Sequence, residues 1–112
     1  MSTIAQTPEP PYYAVTFTSL RSDFTEGYEH TAERMLELAA EMDGFLGVES
    51  VRGADGLGIT VSYWRDETAI VAWKKQTKHA QAQQKGKSLW YNDYVVRISR
   101  VERSYTLSDS TS

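Results

Sequence analysis

The sequence predicts an α+β sandwich in which a four-stranded antiparallel sheet carries both of its helical elements on one face. Three stretches alternate apolar with small or polar residues at a period of two, a fourth strand flanks a turn with one of them, and two other stretches place apolar residues three and four apart. They follow the order strand, helix, strand, strand, helix pair, strand. An Asp-Gly turn makes a hairpin of the central strands. That order is the βαββαβ of a ferredoxin-like sandwich.

The first strand is "YYAVTFTSL", where Tyr13, Val15 and Phe17 alternate with Ala14, Thr16 and Thr18. In "SDFTEGYEHTAERMLELAAEMDG" the residues Phe24, Tyr28, Ala32, Met35, Leu38, Ala39 and Met42 form a single helical stripe. Asp23 three residues before Glu26 resembles a capping box, and Gly44 stands where a helix commonly ends in a left-handed residue. "FLGVESVR" and "LGITVSYW" flank "GADG", whose Asp55-Gly56 pair supplies the positive backbone angles of a tight turn. Leu57, Ile59, Val61 and Tyr63 alternate with Gly58, Thr60 and Ser62. If that apolar set faces the helices, the other face bears Thr16, Thr18, Thr60, Ser62 and an exposed Trp64, a surface for a second subunit.

Asp66 is placed to cap a helix at "ETAIVAWKK" with Ile70 and Trp73 inward, and Thr77 to cap a second segment, "KHAQAQQKGKSLW". In "YVVRISRVER", Tyr94, Val96 and Ile98 keep one phase and Val101 the other, which predicts a bulge or a strand that leaves its own sheet. Arg97, Arg100 and Arg103 of this stretch are expected to form a salt-bridge ladder to a partner subunit. Residues 1–11, with Pro8, Pro10 and Pro11, and residues 104–112 lack periodicity and read as flexible tails around one domain at 12–103.

The 112 residues contain no cysteine, which excludes a disulfide framework, a thiolate nucleophile and sulfur-ligated zinc. His30 and His79 are too far apart in sequence for a metal cluster. A net charge of −3 gives no electrostatic footprint for nucleic acid. The start "MSTIAQTPEPP" has neither the basic end nor the apolar centre of a signal peptide, and no apolar run is long enough for a membrane span. A soluble cytoplasmic protein is expected. "GADGLG" precedes no helix, so it reads as a hairpin rather than a phosphate cradle.

Taken as an ordered set, "GFLGVES", "GITVSYWRDETAIVAWK", "HAQAQQKG" and "WYNDYVVRISRVER" resemble the antibiotic biosynthesis monooxygenase domain over about residues 12–103. That resemblance implies a homodimer packed sheet to sheet as a dimeric α/β barrel. It implies one of two chemistries. Some members oxygenate polycyclic phenols, quinols or anthrones with molecular oxygen and no metal or flavin, the deprotonated substrate itself donating an electron to oxygen. Others bind and degrade haem through a helix histidine, a tryptophan and a first-strand asparagine.

Trp73 matches the tryptophan common to both groups. The rest of the haem set departs, with Gln83 where the axial histidine is expected and Thr16 or Phe17 at the asparagine position. His79, six residues past Trp73, falls about 120° round an ideal helix from the same face. The oxygenase reading therefore needs no cofactor and haem is the alternative; a non-catalytic binding dimer of the same fold is the third reading.

An oxygenase needs a base near neutral pH, and His79 is the candidate. In a continuous helix it shares a face with Gln83, Gly86 and Trp90. Phe17, Tyr28, Tyr63, Trp73, Gln83, Trp90 and Tyr94 are the candidates for contact with a small aromatic substrate. Each also has a structural reading: Trp73 as core, Trp90 and Tyr91 as the clamp that holds the last strand to the helices, and His79 as a surface or packing residue.

Overall fold

The computed structural model describes residues 3–82 and 87–110, without the side chains of 79–82, 87, 88 and 110. Its elements are β1 (Tyr12–Arg21), α1 (Tyr28–Glu41), β2 (Phe45–Arg52), β3 (Leu57–Trp64), α2 (Glu67–Ala82), α3 (Lys87–Trp90), β4 (Tyr91–Val101) and α4 (Leu107–Ser110). The four strands form one antiparallel sheet in the order β2-β3-β1-β4, the ferredoxin-like arrangement.

Register decides which residues face the helices. Tyr13 pairs with Trp64, Val15 with Ser62 and Phe17 with Thr60, and directly opposed residues of an antiparallel pair share a face. Trp64 is fully buried, in a core with Ala39, Ala69 and Ile70 against which Tyr13, Val15, Met42, Phe45 and Trp73 pack. So Thr60, Ser62 and Trp64 lie on the helix face, and Leu57, Ile59, Val61 and Tyr63 on the open face, the reverse of the phase expected from sequence. The cause is that β3 is apolar on one parity and ends in a tryptophan on the other. Trp64 has the larger area to bury, and Ser62 Oγ accepts its indole N–H at 2.9 Å.

β4 pairs with β1 in unbroken register from Tyr12↔Val101 to Leu20↔Asp93, and the irregularity falls at Arg21↔Tyr91 instead. The expected bulge between Ile98 and Val101 is therefore absent. Tyr94, Val96 and Ile98 share the helix face with Ser19, Phe17 and Val15, whereas Val95 and Val101 face the open side, so β4 is apolar on both sides. Arg97 and Arg100 consequently point to opposite faces and form no single ladder; Arg100 pairs with Glu102 at 3.6 Å.

The four helix-end signals do not all resolve as expected. The capping box at Asp23 does not form: α1 starts later, after Gly27 in a left-handed conformation (φ 78°), with no side-chain cap. Asp66 does cap α2, accepting the Ala69 N–H at 2.8 Å. Thr77 starts no new helix, because α2 runs through it and its hydroxyl donates to the Lys74 carbonyl at 2.8 Å. Gly44 has the expected positive φ of 88°, and a Cβ there would also come within 2.6 Å of Ala69 Cβ. The hairpin closes, but of the Asp55-Gly56 pair only Gly56 takes a positive φ, 91°; Asp55 contributes through its side chain, Oδ1 accepting the Leu57 N–H.

Residues 3–11 run against the open face. Glu49 accepts the Ala5 N–H at 3.0 Å and the Tyr63 hydroxyl at 2.7 Å, and Thr7 donates to the Tyr12 hydroxyl. Gly47 makes the approach possible, since a Cβ there would lie 2.9 Å from Ala5 Cβ. Among the described residues no helix is long and apolar enough to cross a membrane.

Candidate functional site

The helix face has two unlike ends. One is the tryptophan core, where Trp73 stacks on Trp64 with ring centroids 5.8 Å apart. The other lies six residues along β1, about 20 Å away at strand rise, where the chain gathers aromatic rings around two arginines.

Its floor comes from β1 and β4. Phe17 meets Tyr91 edge-on at 5.5 Å and Tyr94 at 5.4 Å, and Tyr91 and Tyr94 are 6.1 Å apart. Tyr28, the first residue of α1, adds an edge contact to Tyr91 at 6.0 Å and another to Trp90 at 5.7 Å. Edge-to-face rings fix one another's orientation. Tyr94 remains 56% exposed, so the wall is open to solvent on the β4 side.

Arg52 crosses the sheet to reach this wall. Its side chain passes over Gly58, where a Cβ would lie 2.5 Å from Arg52 Cζ. Beyond Gly58 it donates to the Ser19 carbonyl at 3.3 Å, to Ser19 Oγ at 2.7 Å, to the Gly56 carbonyl and to the Tyr28 hydroxyl at 3.4 Å. Ser19 is only 2% exposed, so Arg52 satisfies a polar group that would otherwise be buried alone. Arg21 approaches from β1 with its guanidinium carbon 3.4 Å from the centroid of the Tyr28 ring, a cation–π contact. Its Nε donates to the Trp90 carbonyl and one terminal nitrogen to the Phe24 carbonyl.

The Tyr91 phenol is half-buried, and desolvation first, then its hydrogen bond with Tyr28, pushes its pKa well above the ordinary tyrosine range; the charges of Arg52 and Arg21 pull it back in part. Tyr28 accepts from Arg52, and since the bond with Tyr28 favours the protonated form of Tyr91, Tyr91 is the donor of that pair and Tyr28 its acceptor. The arrangement is an apolar aromatic wall with two phenols and two cations at one end, able to stack a planar ring and to favour negative charge on an oxygen beside it.

The sequence candidates divide accordingly. Phe17, Tyr28, Trp90 and Tyr94 come together here. Trp90 is the anchor: it is 3% exposed, its Nε1 donates to the Glu26 carbonyl at 2.8 Å, and its own carbonyl accepts the Ser22 N–H at 2.8 Å. Tyr63 is on the open face, bound to Glu49, and Trp73 is in the core at the far end. The His79 side chain and Gln83 fall outside the described residues. Of the two residues at the asparagine position, Thr16 lies on the open face opposite Val61 and Phe17 on the helix face opposite Thr60, while Trp73 is packed on Trp64. Sequence reasoning passed over Arg21, Arg52 and Ser19 as site residues. The available signal was Gly58, a glycine inside a strand, which marks a close approach by another group.

Residues 11–85 match the antibiotic biosynthesis monooxygenase family. An uncharacterized protein of Bacillus subtilis, YqjZ, is 53% identical over 111 residues, which span 99% of this chain and 97% of that protein. The jasmonate monooxygenase ABM of Pyricularia oryzae is 35% identical over 69 residues, 58% of this chain but 31% of that longer protein. Among solved structures, SO0527 of Shewanella oneidensis superposes with a TM-score of 0.70 at 9% identity, over 84% of this chain and 94% of its own. PA3566 of Pseudomonas aeruginosa gives 0.56 at 17%, over 88% and 99%. At such identities the two structures speak for the fold alone.

Proposed function

The chain belongs to the antibiotic biosynthesis monooxygenase family, and from that premise we propose that it is a cofactor-independent monooxygenase acting on an electron-rich aromatic or quinol-like small molecule. The observation that carries this reading is the wall of Phe17, Tyr91 and Tyr94 ending at the Tyr28 and Tyr91 phenols beside Arg21 and Arg52. A planar substrate stacks on the wall with a ring oxygen toward the phenols. Loss of its acidic proton gives an anion that the two guanidiniums favour.

For an anthrone-like substrate the electrons balance without a further reductant. The carbanion passes one electron to molecular oxygen, the radical pair joins through a C–O bond, and the peroxide collapses with O–O cleavage. The methylene has become a carbonyl, and the second oxygen atom leaves as water. The chain's residues orient the ring and hold the charge. His79 is the base in this reading, on the strength of its intrinsic pKa.

Binding tests the reading before turnover does. Thermal shift with hydroxylated polycyclic aromatics should raise the melting temperature, since a ligand at a hundred times its Kd adds about 2.7 kcal/mol. Phe17→Ala and Tyr94→Ala should abolish the shift while leaving the fold intact. No shift with any member of such a panel would remove the basis of the proposal.

A further inference from the structure

The two guanidiniums that favour the substrate anion in the proposed reaction also bear on which substrate the site takes. Arg21 and Arg52 converge on Tyr28, yet neither is paired with a carboxylate among the described residues, whose ion pairs are Arg34–Glu37, Arg65–Asp43, Arg65–Asp66 and Arg100–Glu102. Both side chains are partly buried. Two like charges held beside one ring and partly withdrawn from water make a site that an anion complements.

Their donors are not equivalent. Arg52 is committed: its two terminal nitrogens serve Ser19, Gly56 and Tyr28, so it contributes charge and fixes the Tyr28 oxygen as an acceptor. Arg21 spends Nε and one terminal nitrogen on the Trp90 and Phe24 carbonyls, and its other terminal nitrogen has no partner among the described residues. The stack on Tyr28 holds that guanidinium in plane. A carboxylate of the ligand lying at its rim would meet this other Arg21 nitrogen and a phenol proton together, while its ring rests on Phe17 and Tyr94.

We infer that the substrate is an aromatic acid, whose carboxylate is bound by Arg21 with Tyr28 and Tyr91 while Arg52 supplies a second, fixed positive charge. This rests on the proposed function for the location of the ring and adds the anionic group. A hydrogen bond between charged groups favours the acid over a neutral analogue of the same shape.

The probe is a hydroxynaphthoic acid and its methyl ester, titrated by tryptophan fluorescence against the wild type, Arg21→Gln and Arg21→Lys. In the wild type the acid should bind about tenfold or more tightly than the ester. That ratio should fall to about one in Arg21→Gln and stay intermediate in Arg21→Lys, which keeps the charge and loses the fork. Equal binding of acid and ester by the wild type would overturn the assignment of a carboxylate and leave the aromatic site standing. Failure of both to bind would overturn the proposed site as well. If Arg21→Gln does not fold, judged by circular dichroism, the wild-type ratio and Arg21→Lys decide.

Discussion

Gly58 and Arg52 form one unit. An alanine at 58 would put its Cβ 2.5 Å from Arg52 Cζ, and because the obstructing group is the end of a flexible side chain, the arginine swings away rather than the sheet breaking. Ser19, 2% exposed, then loses its partner. Gly58→Ala is therefore expected to cost about 1–3 kcal/mol, the desolvation of one buried polar group, read as a lower urea midpoint at unchanged slope. A second residue-scale expectation concerns Tyr63. Burial first, and then the Glu49 carboxylate, push its pKa from an ordinary 10 up to about 12. A raised folded pKa gives stability that is complete below pH 10 and lost as the pH climbs through 12. Tyr63→Phe should flatten this part of the stability curve, and an unchanged alkaline slope would show that the Tyr63 phenol is not shifted by burial and Glu49 in solution.

At the scale of elements, the strands and helices were legible because periodicity reports which residues must be buried. What it left open was the direction in which they are buried. β3 carries Leu57, Ile59, Val61 and Tyr63 on one parity and Trp64 on the other, and β4 is apolar on both. In a strand with two faces to cover, alternation fixes the period and not the sense. The aromatic half of the site was visible as Phe17, Tyr28, Trp90 and Tyr94, whereas Arg21 and Arg52 were not, because a charge at a strand end reads as solvated until register brings it across a neighbouring strand. The same limit applies to residues 3–11, whose composition shows no periodicity but whose Ala5 N–H and Thr7 hydroxyl meet Glu49 and Tyr12. Deleting residues 1–10 removes two such bonds, each worth about 1 kcal/mol net. At about 4–8 °C per kcal/mol for a domain of this size, the melting temperature should fall by several degrees. An unchanged temperature would mark the segment as the free tail its composition implies.

For the whole molecule, the open face is the outstanding surface. Leu57 and Ile59 of β3, Val51 of β2 and Val95 of β4 are each more than a third exposed there, in a row across the sheet. A row of that kind on one face of a four-stranded sheet fits a second copy of the chain, so light scattering should give a homodimer, and Ile59→Glu should dissociate it. A wild-type monomer at micromolar concentration would contradict this. The central claim is chemical, and isotope labelling tests it most directly. With protein dialysed against chelator and an anthrone as substrate, reaction under oxygen-18 gas should place the label in the new carbonyl at a rate proportional to protein, and Phe17→Ala should lower kcat/KM by about tenfold or more as the stacking surface is lost. Label drawn from water, a rate independent of the protein, or full activity in Phe17→Ala would contradict the account.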